Sequence, residues 1–438
     1  MEKGRRRAIA GIASLVASPW QIVRAATSTQ ALSPTYLDEF GCEKGMAHIT
    51  TLSEPGDKRL PSALSDPTPR SYRFVRPALA IELDADWVEY HQGYLSGPRC
   101  VSGPVVRKYV HEVLHFWQAL SQGFITNLAL EELDLIETFR KTGVADGHAA
   151  LQDSFASRPA NAPFSPWELS EALCRYWDIH ILGPERILHD MVDGTAWVEE
   201  SFRPYTLAQF DRVMTMEDNW AAPYRWAIRQ WGSSVSVLAF PLLAFFALQT
   251  RCPIEVFMSA GDALHTHLYP FQGSIHTNWP LIYKPVKEQC QIECMRLTGS
   301  LLTPGWDVIQ RNRLGRSAVW GRYKVLLKLL RQVGPDPDEM EREFALPGEP
   351  KHRESLLNSF VPAVTLFRNG RWLGDSTFGA WSEAGLLNSN GPGAVAFRKL
   401  YLNATDVARE SEALVDDYRR MRIAATLARF GLPQASAR

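Results

Sequence analysis

The sequence predicts a mainly α-helical protein with a small β component and a C-terminal hairpin followed by a helix. Apolar residues recur at three- and four-residue intervals over long stretches after Val105, which is the period of a helix with one buried face. Polar and apolar residues alternate in two short stretches, and the second of these encloses an Asn-Gly pair. The length of 438 residues suits two or three structural units better than one.

Composition and charge indicate an ordinary globular protein, with 45% hydrophobic and 22% charged residues. The 47 basic and 48 acidic residues give a net charge of −1, so there is no electrostatic reason to expect nucleic acid as a partner. None of the six cysteines forms a Cys-x-x-Cys pair, which argues against a zinc ribbon or a thioredoxin-like motif. Cys290 and Cys294 are interpreted as buried thiols of one helix. The oligomeric state is not indicated.

The N-terminal residues 1–26 have the layout of an export signal. Three adjacent arginines precede a mostly apolar stretch, as in signals of the twin-arginine type, and small residues follow it. Pro19 ends the apolar stretch early, and Ala8 stands where a bulky residue is expected after the arginines. Two hypotheses therefore stay open for the compartment: an exported protein, or a cytoplasmic chain with a basic end.

Residues 27–104 form a predicted N-terminal lead-in, in which residues 72–84 alternate partly and contain one or two short strands. A helical domain is predicted over residues 105–300. Pro104 directly precedes its first helix, and proline is favoured at the first position of a helix because the missing N–H has no helical partner there.

Further helices are predicted at 128–141 and 167–180, with a loop at 143–166 that contains three prolines. The apolar run Val235–Leu248 is shorter than the about 20 residues that a membrane-spanning helix needs. We interpret it as a buried core helix, so no membrane span is expected.

Residues 301–438 are predicted to form a C-terminal α+β extension. The Asn369-Gly370 pair lies between apolar alternations at 363–373, which is the strongest hairpin signal in the chain. A charged amphipathic helix is predicted at 404–430.

The predicted helix at 105–120 carries the motif His111-Glu112-Val-Leu-His115. Residues four apart lie on one face of a helix, so the imidazoles of His111 and His115 can bind the same ion. Glu112 is rotated by about 100° from His111, which places its carboxylate beside the ion rather than on it. Zinc lowers the pKa of a bound water towards about 7, and the glutamate can take the proton of that water as it attacks a carbonyl.

These residues resemble the zincin metallopeptidases, which implies a zincin-like helical core around one Zn²⁺ ion. The metzincin branch would require glycine at Gln118 and histidine at Ser121, so this branch is excluded. The resemblance to the gluzincin branch implies a glutamate from a downstream helix as third ligand, and Glu171 fits that position. Asp178 could then orient a ligating imidazole. The motif with Gln118 is also similar to uncharacterised bacterial proteins carrying His-Glu-x-x-His-x-x-Gln.

The third ligand has alternatives, since Ser170 stands where the gluzincins often have asparagine and the gap after His115 is long. Glu168, Asp193 and Glu199 remain candidates beside Glu171.

A peptidase also needs a donor for the oxyanion of its tetrahedral intermediate, and the resemblance implies a tyrosine or histidine. Tyr224 is our candidate, with Tyr176, His180 and Tyr205 as alternatives. A second histidine group, His265, His267 and His276, is predicted to lie in a loop and not to bind metal, because no acid is spaced to complete a site.

The sequence thus predicts a zinc-dependent hydrolase, in particular a metallopeptidase with a peptide or protein substrate. Two alternatives stay open: a zinc-stabilised binding or scaffold protein without catalytic activity, and a helical protein with a fortuitous motif. Glu112 favours the hydrolase, because a structural zinc site has no use for a base beside its ligands.

Overall fold

A computed structural model describes residues 72–84, 103–182, 207–216, 218–268, 275–305, 307–308, 318–333, 363–368, 371–372 and 405–430. These residues form a mainly α-helical structure, as predicted. The elements in chain order are β1 (Tyr72–Val75), β2 (Ala80–Asp84), α1 (Gly103–Ser121), α2 (Gly123–Thr142), α3 (His148–Ala156), α4 (Pro166–Leu182), α5 (Leu207–Met214), α6 (Asp218–Trp231), α7 (Ser233–Ala247), α8 (Pro253–Leu268), α9 (Ile275–Thr298), α10 (Ala318–Val333), β3 (Ala363–Arg368), β4 (Arg371–Trp372) and α11 (Thr405–Arg429). The predicted export signal lies outside the described residues.

The four strands form one sheet in the order β1-β2-β3-β4. β1 and β2 pair antiparallel, which confirms the strands predicted at 72–84, and a short 3-10 helix, Arg76–Ala78, joins them. β3 and β4 pair antiparallel on either side of Asn369-Gly370, as expected for the hairpin, although this pair itself lies outside the described residues. β2 pairs parallel with β3, so the sheet unites residues from the predicted lead-in and the predicted C-terminal extension.

Helix α1 carries the His-Glu-x-x-His motif and packs against β1, α2 and α4. Its apolar residues Leu114, Phe116 and Trp117 are buried, and the Phe116 ring meets Phe74 of β1 edge to face at a centroid distance of 6.1 Å. The helix ends at Ser121 because Gln122 has an extended backbone with φ −108° and ψ 115°. The motif is therefore held between the sheet and two helices.

The loop predicted at 143–166 is wrong in part, because α3 lies inside it. Gly143 ends α2 with φ +71°, and α3 begins after Gly147 with φ +89°, both backbone conformations that favour glycine. The helix is short and weakly amphipathic in sequence, and it is anchored by the buried side chains of His148 and Phe155. Tertiary burial, rather than a local signal, thus decides its formation.

Helix α4 starts with a reciprocal pair of hydrogen bonds between Ser165 and Glu168. The N–H of Ser165 donates to Glu168 Oε2 at 2.6 Å, and the N–H of Glu168 donates to Ser165 Oγ at 3.2 Å. This is a capping box, which satisfies two N–H groups that have no partner within the helix. Pro166 then occupies the first position of the helix.

Helix α7 is the buried core helix predicted from the apolar run at Val235–Leu248. Each of its residues from Val235 to Ala247 is buried, and Pro241 is accommodated inside the helix. It packs against α6, α8 and α9, which enclose it. Among the described helices, none combines the length and the apolar character needed to cross a membrane.

The C-terminal helix α11 packs on α10 and α2 and agrees with the helix predicted at 404–430. It is joined to the rest of the protein by the buried carboxylate of Glu132. One oxygen of Glu132 accepts hydrogen bonds from Arg76 Nη2 at 2.7 Å, from Gln152 Nε2 at 2.9 Å and from Tyr418 Oη at 3.1 Å. This network links the sheet connection, α2, α3 and α11.

Candidate metal centre

Helices α1 and α4 bring His111, His115 and Glu171 together. The Nε2 atoms of His111 and His115 are 3.1 Å apart. Glu171 Oε2 lies 3.1 Å from His111 Nε2, and Glu171 Oε1 lies 3.3 Å from His115 Nε2. Within the described part of the chain, these are the residues whose ligand atoms converge in a group suited to a metal ion. Their side chains are largely buried, with 8% of His111 and 15% each of His115 and Glu171 exposed.

The spacing of the candidate ligand atoms is compatible with a tetrahedral zinc site. Bonds of about 2.0–2.1 Å at tetrahedral angles place neighbouring ligand atoms about 3.3 Å from each other. The two Nε2 atoms are 3.1 Å apart, and each lies 3.1 or 3.3 Å from a different oxygen of the Glu171 carboxylate, so these separations lie close to that value. Two imidazole nitrogens and one carboxylate are also the donor set typical of a zinc site that keeps a position for water. The residues present therefore fit the ion that the resemblance implies.

Asp178 orients His111, as expected from the sequence. The Nδ1–H of His111 donates to Asp178 Oδ2 at 2.9 Å, which turns Nε2 towards Glu171 and His115. Asp178 is fully buried, and Arg175 Nη1 lies 3.5 Å from the same oxygen. The guanidinium thus balances a carboxylate that would otherwise be costly to bury.

The electrostatics of the centre favour a protonated His111 beside a charged Glu171. Burial by itself lowers the pKa of His111, but the carboxylates of Asp178 and Glu171 outweigh it and raise the pKa to about 9. Burial by itself raises the pKa of Glu171, but the two histidines hold it well below the usual range. A metal cation that binds there would take the place of the proton on His111 beside the charged Glu171, and this proton would be released.

Glu112 is buried, with 3% of its surface exposed, and it follows His111 directly on α1. Burial raises the pKa of the Cys174 thiol on α4 well above its usual range, and the nearby carboxylates of Glu171, Asp178 and Glu112 raise it further. Glu112 is therefore near Cys174 of α4. Its role as a catalytic base stays a prediction.

The other candidates for the third ligand differ in their surroundings. Glu168 forms the capping box of α4, and its Oε1 lies 2.6 Å from Arg158 Nη2. Its carboxylate is thus engaged at the end of the helix, one turn before Glu171. Asp193 and Glu199 lie outside the described residues. Among the acids that the structure describes, Glu171 is the one that meets both imidazoles.

Tyr224, the predicted oxyanion donor, is fully buried in α6. Its ring lies between Phe210 and Phe240, and its hydroxyl donates to Asp211 Oδ1 at 2.8 Å. The hydroxyl of Tyr176 donates to the carbonyl of Val237 at 2.6 Å. The side chains of the alternatives His180 and Tyr205 lie outside the described residues. The catalytic role of Tyr224 stays a prediction, and it would require the hydroxyl to exchange Asp211 for substrate.

The loop predicted around His265 and His267 is wrong, because both residues lie in α8, which continues to Leu268. Positions two apart on a helix are separated by about 200°, so the two exposed imidazoles point in different directions. The side chain of His276 lies outside the described residues.

Gln118 and Ser170 contact the centre in a way that the sequence did not predict. Gln118 Oε1 lies 2.9 Å from His115 Nδ1, and the Ser170 hydroxyl donates to the same Gln118 oxygen at 2.8 Å. A sequence signal existed, since residues three apart on a helix are neighbours and Gln118 follows His115 at that distance. Its partner on α4 is 52 residues away and could not be inferred from this spacing.

Comparison with known proteins gives no relative: no family model, no curated protein and no solved structure matches this chain.

Proposed function

We propose that this protein is a zinc-dependent hydrolase, in particular a metallopeptidase, that holds one Zn²⁺ ion through His111, His115 and Glu171. The observation that carries the proposal is the convergence of two Nε2 atoms, 3.1 Å apart, on the carboxylate of Glu171, whose two oxygens lie 3.1 and 3.3 Å from them. These separations are close to those in a tetrahedral zinc site, and the hydrogen bond with Asp178 turns Nε2 of His111 towards the centre.

The chain supplies the groups for hydrolysis of a peptide or amide bond. A zinc ion held there would polarise the substrate carbonyl and lower the pKa of a bound water. Glu112 accepts a proton from the attacking water, whose oxygen forms a new bond to the carbonyl carbon. Glu112 then delivers this proton to the leaving nitrogen as the C–N bond breaks. The buried position of Glu112 supports this role, because a carboxylate removed from water is costly and a structural zinc site gains nothing from it.

The metal content of the purified protein tests whether His111, His115 and Glu171 bind zinc. We expect about one zinc per wild-type chain, and loss of that zinc in His111→Ala and in Glu171→Ala. His265→Ala is the matched control, since His265 is an exposed histidine of α8 and should leave the zinc in place. A wild-type protein that takes up no zinc from metal-replete medium would refute the proposal.

Turnover tests the catalytic part of the proposal and distinguishes the hydrolase from a zinc-stabilised binding or scaffold protein. A mixture of peptides is incubated with wild-type protein and with Glu112→Gln, and the products are identified by mass spectrometry. We expect cleavage by the wild type and at least about 100-fold slower cleavage by Glu112→Gln, which should retain its zinc. A zinc ion coordinated by four protein ligands, with no cleavage by either protein, would support the scaffold instead.

A further inference from the structure

Gln118 connects the two helices that carry the candidate zinc ligands. It is fully buried on α1, three residues after His115. Its Nε2 donates to the backbone carbonyl of Ser170 on α4 at 3.1 Å. Its Oε1 accepts from the Ser170 hydroxyl at 2.8 Å and lies 2.9 Å from His115 Nδ1. One side chain thus contacts one candidate ligand directly and the residue that precedes another.

The backbone carbonyl of Ser170 fixes which way the amide of Gln118 points. A carbonyl oxygen can only accept, so the amide nitrogen of Gln118 must face it. The amide oxygen then faces His115, and because this oxygen can only accept, His115 Nδ1 must carry a proton. In a neutral imidazole this leaves the lone pair on Nε2, the atom that lies 3.1 Å from His111 Nε2.

Cys174 could stabilise the other tautomer of His115, in which Nε2 carries the proton. Its Sγ lies 3.4 Å from His115 Nδ1, and a thiol can donate a weak hydrogen bond. If Nδ1 carried no proton, it could accept from this thiol, and Nε2 would then carry the proton and could not bind a metal. In that state the lone pairs of Gln118 Oε1 and His115 Nδ1 would face each other at 2.9 Å, which is repulsive. Gln118 therefore decides between the two tautomers.

We propose that Gln118 is a positioning residue, anchored by Ser170, that keeps the proton of His115 on Nδ1 and thereby presents Nε2 to the metal. This inference rests on the proposed function, in which His115 is a zinc ligand. Different groups thus orient the two histidines: the buried carboxylate of Asp178 orients His111, and the neutral amide of Gln118 orients His115.

The test combines two measurements on the full-length protein. Two-bond ¹H–¹⁵N spectra of ¹⁵N-histidine-labelled, zinc-free protein report the tautomer of His115 at a pH where its ring is neutral. Competition with a chromophoric chelator gives the dissociation constant for zinc. The principal variant is Gln118→Met, which keeps the size of the side chain and removes both amide contacts. Gln122→Met is the matched control, because Gln122 is equally buried one turn later and makes no side-chain hydrogen bond within the described part of the chain.

We expect Gln118→Met to weaken zinc binding about 10- to 100-fold and to move the proton of His115 from Nδ1 to Nε2. Gln122→Met should leave both unchanged. Gln118→Glu keeps an acceptor for Nδ1–H and should retain the wild-type tautomer, so it tests the inference if Gln118→Met does not fold. Ser170→Ala leaves the backbone carbonyl as an anchor and should weaken zinc binding less than Gln118→Met does.

Wild-type zinc affinity together with an Nδ1–H tautomer in a folded Gln118→Met would overturn the role of Gln118 and leave the proposed function intact. A wild-type protein that binds no zinc would overturn the proposed function. The tautomer of His115 in the same zinc-free samples tests the contact with Gln118 separately, so the two failures are distinguishable.

Discussion

The zinc-free protein should lose stability as the pH rises from about 6.5 to 9, because His111 gives up its proton in this range. The ordinary pKa of histidine is 6.5, and in the folded protein the pKa of His111 is raised to about 9 by Asp178 and Glu171 against the effect of burial. A group whose pKa is higher in the folded state binds its proton more tightly there. The resulting stability is fully present below the unfolded pKa and is lost as the pH passes the folded pKa.

The size of this loss follows from the two values of the pKa. The difference between 6.5 and about 9 corresponds to about 3 kcal/mol in the free energy of unfolding. Zinc should have the opposite dependence, since it replaces the proton on His111. Its stabilising effect should therefore grow over the same pH range, and the zinc-bound protein should not show the loss.

Urea unfolding between pH 6 and 10 measures both effects, once in the presence of a chelator and once in excess zinc. Asp178→Asn is the control, because it removes the carboxylate that contributes most to the raised pKa of His111. The free energy of unfolding of zinc-free Asp178→Asn should change much less between pH 6.5 and 9 than that of the wild type. Parallel curves for the two zinc-free proteins would refute the assignment of the proton to His111.

Three further predictions concern individual contacts. Asp178→Asn should weaken zinc binding about 10- to 100-fold in the chelator competition, because His111 loses the carboxylate that orients it, and an unchanged dissociation constant would contradict this. Glu168→Ala should lower the free energy of unfolding by about 1 kcal/mol through loss of the capping box, with zinc content unchanged; loss of zinc would instead make Glu168 a ligand. Glu132→Ala should destabilise the protein by about 3–5 kcal/mol, because Arg76 would keep a buried charge without the carboxylate of Glu132. An unfolding midpoint in urea like that of the wild type would show that the network adds little to stability.

The choice of Glu171 over Glu168 shows where sequence reasoning reached its limit. Both acids lie on α4, one turn apart, and each could be a ligand by its distance from the motif. Which turn lies opposite His111 and His115 depends on how far α4 is shifted along α1. That shift is set by contacts between distant residues, such as the pair of hydrogen bonds between Gln118 and Ser170. Local spacing carries no information about it.

The sequence by itself determined the features that depend on local geometry. The period of apolar residues gave the helical class and the core helix α7, and the spacing of four placed His111 and His115 on one face, because neighbours on a helix are fixed by its pitch. Tertiary structure decided the rest. It brought Glu171 next to the two histidines, set Gln118 against His115, formed α3 within an expected loop and paired β2 with β3 across some 280 residues. These outcomes depend on which distant surfaces are buried against each other, and such contacts leave no periodic pattern within any one segment.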